Sequence, residues 1–206
     1  EAGQQEFDVH TSIMMLPALH YVRERSLGNG QPYLRPQSGL VDTWRRKLEG
    51  IEGLKVGICW QGNRAYPWRH WRSVRLAEFA PLAKVDGVSL VNLQHGEARQ
   101  ELSEIDGQFF VHDLGDGLDR EGGAFMDTAA VMRSLDLVIT SDTATAHLAG
   151  GLGVPVWVAL AERAEWRWLL KREDSPWYPT MRLFRQASEG DWPSVFARMA
   201  HALDTQ

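Results

Sequence analysis

Asp142, Thr143, Thr145 and His147 occupy the stretch of this chain whose residue types and spacing point most directly to anion chemistry. The apolar run Leu137-Val138-Ile139 ends at Thr140, Ser141 and Asp142, and a helical pattern follows at once. Asp and Thr at these positions are the types that cap a helix start. Such a start offers unpaired backbone N–H groups and a partial positive charge, which together hold phosphate. His147 falls about one and a half turns into the helix. It reads either as a contact to a ligand phosphate at the mouth or as a hydrogen-bonded core histidine. A second stretch, RAYPWRHWRS at 64–73, sets Arg64, Arg69, Arg72 and His70 among Tyr66, Trp68 and Trp71. Arginine pairs bidentately with phosphate oxygens, and aromatic rings offer flat faces. This stretch reads as an anion-recognition loop facing the helix start at 142, with a solvated basic loop as the alternative.

Other chemistries find little support. The phosphate-binding P-loop and the glycine fingerprint of dinucleotide-binding domains are both absent. Gly150, Gly151 and Gly153 close a helix and open a strand, as a C-terminal cap does. Ser141, Asp142 and His147 lack the strained nucleophile turn of a hydrolase triad. The acids at 113, 116, 119 and 121 miss the alternation of a calcium loop and read as an exposed acidic loop. The 7 histidines and 1 cysteine reach no zinc-ligand spacing, and Cys59 reads as a buried core residue.

The elements that must position the candidate residues alternate regularly from Leu54 onward. Strands are expected at 55–60, 88–93, 109–114, 137–140, 154–160 and 181–186, and helices at 76–84, 125–134, 142–151 and 192–203. That alternation predicts an α/β fold, a doubly wound parallel sheet whose ligands bind beyond the carboxyl ends of its strands. Residues 1–48 read differently: a segment broken by Pro17, a connector rich in Gly and Pro, and a short helix at 41–48 starting near Asp42 or Thr43. They are taken as the remnant of a neighbouring domain plus a linker, and residues 49–206 as the main domain. Glu1 at the start reads as an excerpt of a longer chain. The 206 residues are 44% apolar and 24% charged, with 9 tryptophans for core packing or for lining a cleft. A net charge of −5 argues against a nucleic-acid surface. With no apolar run of the ~20 residues needed to cross a bilayer and no secretory signal pattern, the cytoplasm is the expected compartment.

The segment D-T-A-A-x-x-x-x-L-D-L-V-I-T-x-D-T-x-x-A-H-L-A-G-x-L-G-x-P-V-W at 127–157 resembles the carboxyl-terminal domain of GT-B glycosyltransferases of the heptosyltransferase-like, family 9-like kind. The likeness is to the versions fused behind tetratricopeptide repeats in bacteria. WRWLLKREDSPWYPTMRLFRQ at 166–186, GDW at 190–192 and K-V-G-I-C-W-x-G-N at 55–63 with Arg72-Ser73 extend it. FDVHTSIMMLP at 7–17 resembles a segment from the end of their amino-terminal domain. The resemblance implies a Rossmann-like donor-binding half, with a nucleotide-diphosphate sugar as substrate and an acceptor hydroxyl on a sugar, lipid or protein. It implies a metal-independent reaction without a further cofactor. The diphosphate would meet the Thr143 and Ala144 amides, with Asp142 and His147 nearby and Arg69, Arg72 and Ser73 on the facing loop. Leu93, Gln94 and His95 would form part of the base and ribose pocket; Asp8 and His10 are the candidates for the catalytic base, and His10 could serve at neutral pH. A non-catalytic nucleotide-sugar-binding or structural module of a repeat-containing protein is the alternative reading.

Overall fold

The computed structural model describes residues 8–12, 30–63, 69–120 and 122–205. Helix α1 (Ser38–Leu48) leads into strand β1 (Leu54–Cys59). A short helix α2 (Arg69–Arg72), a 3-10 turn (Leu76–Phe79) and α3 (Ala80–Ala83) precede β2 (Val88–Asn92). A further 3-10 turn (Glu97–Gln100) and α4 (Glu101–Glu104) follow, then α5 (Met126–Met132) and β3 (Leu137–Ser141). Next come α6 (Ala144–Leu152), β4 (Val156–Leu160), a 3-10 turn (Trp166–Trp168), β5 (Met181–Arg185) and α7 (Trp192–Asp204).

Among the described residues five strands form one all-parallel sheet, in the order β2-β1-β3-β4-β5. Every residue of β3 and β4 is buried, as central strands covered on both faces must be. Alternate side chains feed two separate cores. Val138, Val156 and Val158 join Trp44, Val131 and Ala146 from α1, α5 and α6. Ile139, Trp157 and Phe184 face the opposite way and pack with Phe79, Phe196 and Met199. The doubly wound α/β sheet expected from the alternation is therefore the observed fold. No helix among the described residues is long and apolar enough to cross a membrane.

Three local expectations change. The strand expected at 109–114 shrinks to a single parallel bridge between Val91 and His112. His112 N donates to Leu90 O at 2.8 Å, and Asn92 N donates to His112 O at 2.9 Å. This segment runs along the outer edge of β2, where Phe110 is left 71% exposed and little apolar burial rewards a longer ladder. Counted as a strand, it completes the 3-2-1-4-5-6 order of dinucleotide-binding sheets. The helix expected at 76–84 is a 3-10 turn running into α3, with Pro81 in the first turn of that helix. Helix α1 begins at Ser38, so Asp42 and Thr43 lie inside it: Thr43 Oγ1 bonds Gly39 O at 2.9 Å and Asp42 pairs with Arg45 at 2.8 Å. Although the sequence groups α1 with the segment before residue 49, its Trp44 and Leu48 share the core of the sheet. The Trp44 indole also donates to buried Asp127 at 2.7 Å.

The glycines of α6 do more than end the helix. Gly153 takes the left-handed cap at φ 71° that the sequence predicts. Gly151 O accepts the Tyr33 and Leu34 amides at 2.9 and 3.0 Å, which fixes the connector against the helix. A Cβ at Gly150 would stand 2.4 Å from Tyr178 Cγ, at the root of the ring. Replacing a helical Gly by Ala ordinarily stabilises by about 0.5–1 kcal/mol. Here the sign reverses, and Gly150→Ala is expected to destabilise by about 1–3 kcal/mol in denaturant unfolding through overpacking. A variant as stable as the parent would contradict the close approach of Tyr178.

Candidate functional site

The sheet reverses its direction of strand progression between β1 and β3, the switch point at which ligands bind in open α/β sheets. The two exits are tied together there. Trp60 O accepts Ser141 Oγ at 2.8 Å and Val74 N at 3.0 Å. Gln94, from the exit of β2, accepts Trp60 N at 3.0 Å and Gln61 N at 2.8 Å on its Oε1. Its Nε2 donates to Gln61 O and to His95 O, each at 3.0 Å. Glu101 holds the same loop from outside, accepting Leu76 N at 2.7 Å and the Gln61 side-chain amide. The loop that carries Arg72 thus leaves and re-enters the fold through fixed points. Arg64, Tyr66 and Trp68 lie outside the described residues, as do the side chains of Arg69 and His70.

Asp142 and Thr143 lead into α6 at this switch point. Thr143 is the N-cap, but its hydroxyl meets Thr140 Oγ1 at 3.0 Å and does not cap the helix. Thr145 turns its hydroxyl to Cys59 Sγ at 3.4 Å. The expectation that 142, 143 and 145 supply side-chain caps is therefore corrected: the two threonine hydroxyls are bonded beneath the helix, and Asp142 faces Arg72 instead. The first-turn amides of α6, including those of exposed Ala144 and of Thr145, keep the orphan donors that every uncapped helix start has.

Asp142 is buried, and its Oδ2 stands 3.9 Å from Arg72 Nη1. Burial pushes the Asp142 carboxyl up, while the Trp168 indole and the charges of Arg72 and His147 favour its ionised form. The Trp168 N–H leans on Asp142 in this way, yet Nε1 is buried and meets no acceptor at hydrogen-bonding geometry. His147 stacks on Trp168 with ring centroids 5.0 Å apart and planes 17° from parallel. Its Nδ1 lies 3.1 Å from the Tyr178 hydroxyl. Burial lowers the His147 pKa; Asp142 and Glu165 oppose this and Arg167 reinforces it. A cavity of about 250 Å³ opens over this group, lined by Trp71, Arg72, Asp142, Arg163 and Glu165 among others. Ser73 is half-buried beside Arg72.

The residues expected around a base and ribose divide three ways. Leu93 is a core side chain that would lie 2.7 Å from a Cβ at Gly57. Gln94 spends its amide on the β1 exit, as described above. His95 remains 42% exposed at its side chain, 3.0 Å from Thr128 Oγ1 and 3.3 Å from Asp119 Oδ2. It borders a second cavity of about 320 Å³ with Asn92, Gly96, Arg99 and Arg120. His10 lies on the exposed stretch 8–12 and lines neither cavity. Among the described residues no group of three His, Cys, Asp or Glu side chains is placed to hold a metal.

The acidic loop is less exposed than its composition suggests. Asp119 is half-buried and accepts Asp127 N at 2.7 Å and Thr128 N at 3.0 Å, which caps α5. Asp113 bonds Arg99 at 2.5 Å and Asn92 at 3.0 Å, and Arg99 holds its carboxyl below the usual range against the opposing effect of burial. Arg99, Glu101 and Asp119 are site-shaping residues that sequence reasoning missed, because their partners lie far along the chain.

This arrangement is a Rossmann-like α/β fold, and the solved structures similar to it include three sugar-transfer proteins of GT-B architecture. Escherichia coli ADP-heptose lipopolysaccharide heptosyltransferase II matches with a TM-score of 0.57 at 18% identity, over 85% of this chain and 54% of that one. A glycosyltransferase family 9 protein of Veillonella parvula gives 0.54 at 14% identity, over 77% and 44%. E. coli heptosyltransferase WaaC, solved with ADP-2-deoxy-2-fluoro heptose, gives 0.52 at 15% identity, over 88% and 53%. Among curated proteins, Protein FlbA of Caulobacter vibrioides is 31% identical over 195 residues, 91% of this chain and 31% of FlbA. The chain therefore spans about half the length of the heptosyltransferases and under a third of FlbA. No protein-family model matches it.

The half-buried His147 gives the fold a defined pH response. A histidine whose folded pKa lies below its unfolded value of about 6.5 contributes stability that is present above that value. That contribution is lost as pH falls from there through the lowered folded pKa. Unfolding midpoints are expected to drop between pH 7.5 and pH 5.5, and His147→Gln should flatten part of that slope. His112, also lowered by burial, supplies another part. An unchanged slope in the variant would contradict a neutral ring held at this place.

Proposed function

We propose that this chain is the donor-binding half of an inverting GT-B glycosyltransferase within a longer, repeat-containing bacterial protein. It takes a sugar from a nucleotide-diphosphate donor for transfer to an acceptor hydroxyl. The observation that carries the reading is the uncapped start of α6 at the β1–β3 switch point, with Arg72 standing over it. A diphosphate would rest on the Thr143, Ala144 and Thr145 amides, where the helix dipole favours negative charge. Buried Asp142 would repel it, and the Arg72 guanidinium between the two anions offsets that cost. His147 and Trp168 add N–H donors from below. In the transition state the bond from the anomeric carbon to the diphosphate oxygen breaks and negative charge gathers on the phosphates. Donors already fixed at that place stabilise the charge without reorganising. The nucleoside would extend toward His95 and the second cavity at the exit of β2.

The acceptor and the general base belong to the rest of the protein in this reading. His10, the candidate base, sits on an exposed stretch and lines neither cavity, which favours a chain that binds donor but transfers slowly by itself. Transfer requires a hydroxyl and a base held in line with the donor carbon. Calorimetric titration with ADP, UDP and GDP tests the site: at least one is expected to bind at millimolar concentration or better. A charge-assisted hydrogen bond contributes roughly 1.5–3 kcal/mol, so Arg72→Ala should weaken diphosphate about tenfold to a hundredfold. The corresponding nucleoside should be little affected. Equal losses for both, or no binding of any of the three by folded protein, would overturn the assignment.

A further inference from the structure

The ring of His147 is gripped on one edge by a residue from another part of the chain. Tyr178, three residues before β5, reaches across α6 because Gly150 has no side chain to stop it. Its hydroxyl oxygen stands 3.1 Å from His147 Nδ1 and 3.4 Å from the Tyr33 hydroxyl. Tyr33 is itself pinned by its amide to Gly151 O at 2.9 Å. Each phenol has one proton, so the direction of this chain of hydroxyls decides which imidazole nitrogen carries hydrogen. If Tyr33 donates to Tyr178 and Tyr178 donates to Nδ1, then a neutral His147 bears its proton on Nε2. That nitrogen makes no hydrogen bond among the described residues.

We propose that Tyr178 is a positioning residue, holding His147 with Nε2–H directed to the start of α6 so that the neutral ring donates to a donor phosphate. Side chains on a helix lean toward its amino terminus, which brings the ring of His147 back toward Asp142. The opposite arrangement, Nδ1–H donating to Tyr178, would turn the Nε2 lone pair on an anion and repel it. The charged groups around the ring are Asp142 from the β3–α6 turn and Glu165 and Arg167 from the 3-10 turn, with Tyr178 from the segment before β5. Trp168, which carries no charge, stacks on the ring. The grip also makes the connector at Tyr33 one end of the phosphate site, so a shift of the connector is felt at His147. This inference rests on the donor-site reading, but its direct readout does not.

The test is imidazole nitrogen NMR on the ¹⁵N-labelled chain, with Tyr178→Phe as the variant. The variant keeps the ring in the Gly150 cradle and removes only the hydroxyl. In the wild type at pH 7.5, His147 is expected to show a protonated Nε2 and an unprotonated, hydrogen-bonded Nδ1. Losing a bond that favours the neutral ring should raise the pH at which His147 titrates in Tyr178→Phe. Inorganic pyrophosphate should bind the variant about fivefold to tenfold more weakly. A wild-type ring protonated on Nδ1 would overturn the proposal, and so would a variant with unaltered titration. If pyrophosphate fails to bind the wild type, the donor-site reading falls, while the tautomer and the titration still decide the role of Tyr178.

Discussion

The carboxyl edge of this domain depends on satisfying the backbone where β1 leaves the sheet. Beyond Cys59 the ladder ends, and buried peptide groups there need partners from elsewhere. Gln94 meets three of them from the neighbouring strand exit, and Ser141 meets a fourth from the other side. One carboxamide thereby joins β2 to β1 while one hydroxyl joins β1 to β3. The loop bearing Arg72 and the turn bearing Asp142 inherit their relative positions from those bonds. Losing the Gln94 side chain would strand buried N–H and C=O groups at about 1–3 kcal/mol each, and would free the loop that faces the proposed phosphate site.

The same economy explains the start of α6. Threonines that would ordinarily cap the helix are bonded downward, to Thr140 and Cys59. The consequence is a helix start that is rigid below and open above. Charge is balanced in layers: buried Asp142, then Arg72, then the open cavity. Trp168 and His147 fill the space beneath with stacked flat rings, the Trp168 N–H leaning on Asp142 and His147 Nδ1 meeting the Tyr178 hydroxyl. Tyr178 and the glycine face of α6 lock that lower layer to the connector.

Much of this was legible in the sequence where local pattern and burial agree. The β3–α6–β4 unit is readable because its strands are buried on both faces and its helix ends on a left-handed glycine. The edge segment at 109–114 was not, since an apolar run reads alike whether its ladder holds one bridge or five. Gln94 could be placed at a strand exit, but nothing local says that its amide turns inward. Asp119 looked solvated because capping of α5 from a loop several residues upstream leaves no periodic mark. Gly150 and Gly151 read as a helix terminus, whereas they serve close approach by Tyr178 and the connector, partners distant in sequence. The general lesson is that partnerships between far-separated polar groups have no local signature, although they decide which candidates meet.

Site-resolved amide shifts test the phosphate assignment most directly. In a ¹H–¹⁵N spectrum of the folded chain titrated with ADP, UDP or GDP, the largest changes should fall on the Ala144 and Thr145 amides and on the Arg72 guanidinium. Smaller changes should appear at His95 and Gly96. Shifts confined to the connector and α1, with α6 silent at saturation, would contradict a phosphate site at the helix start.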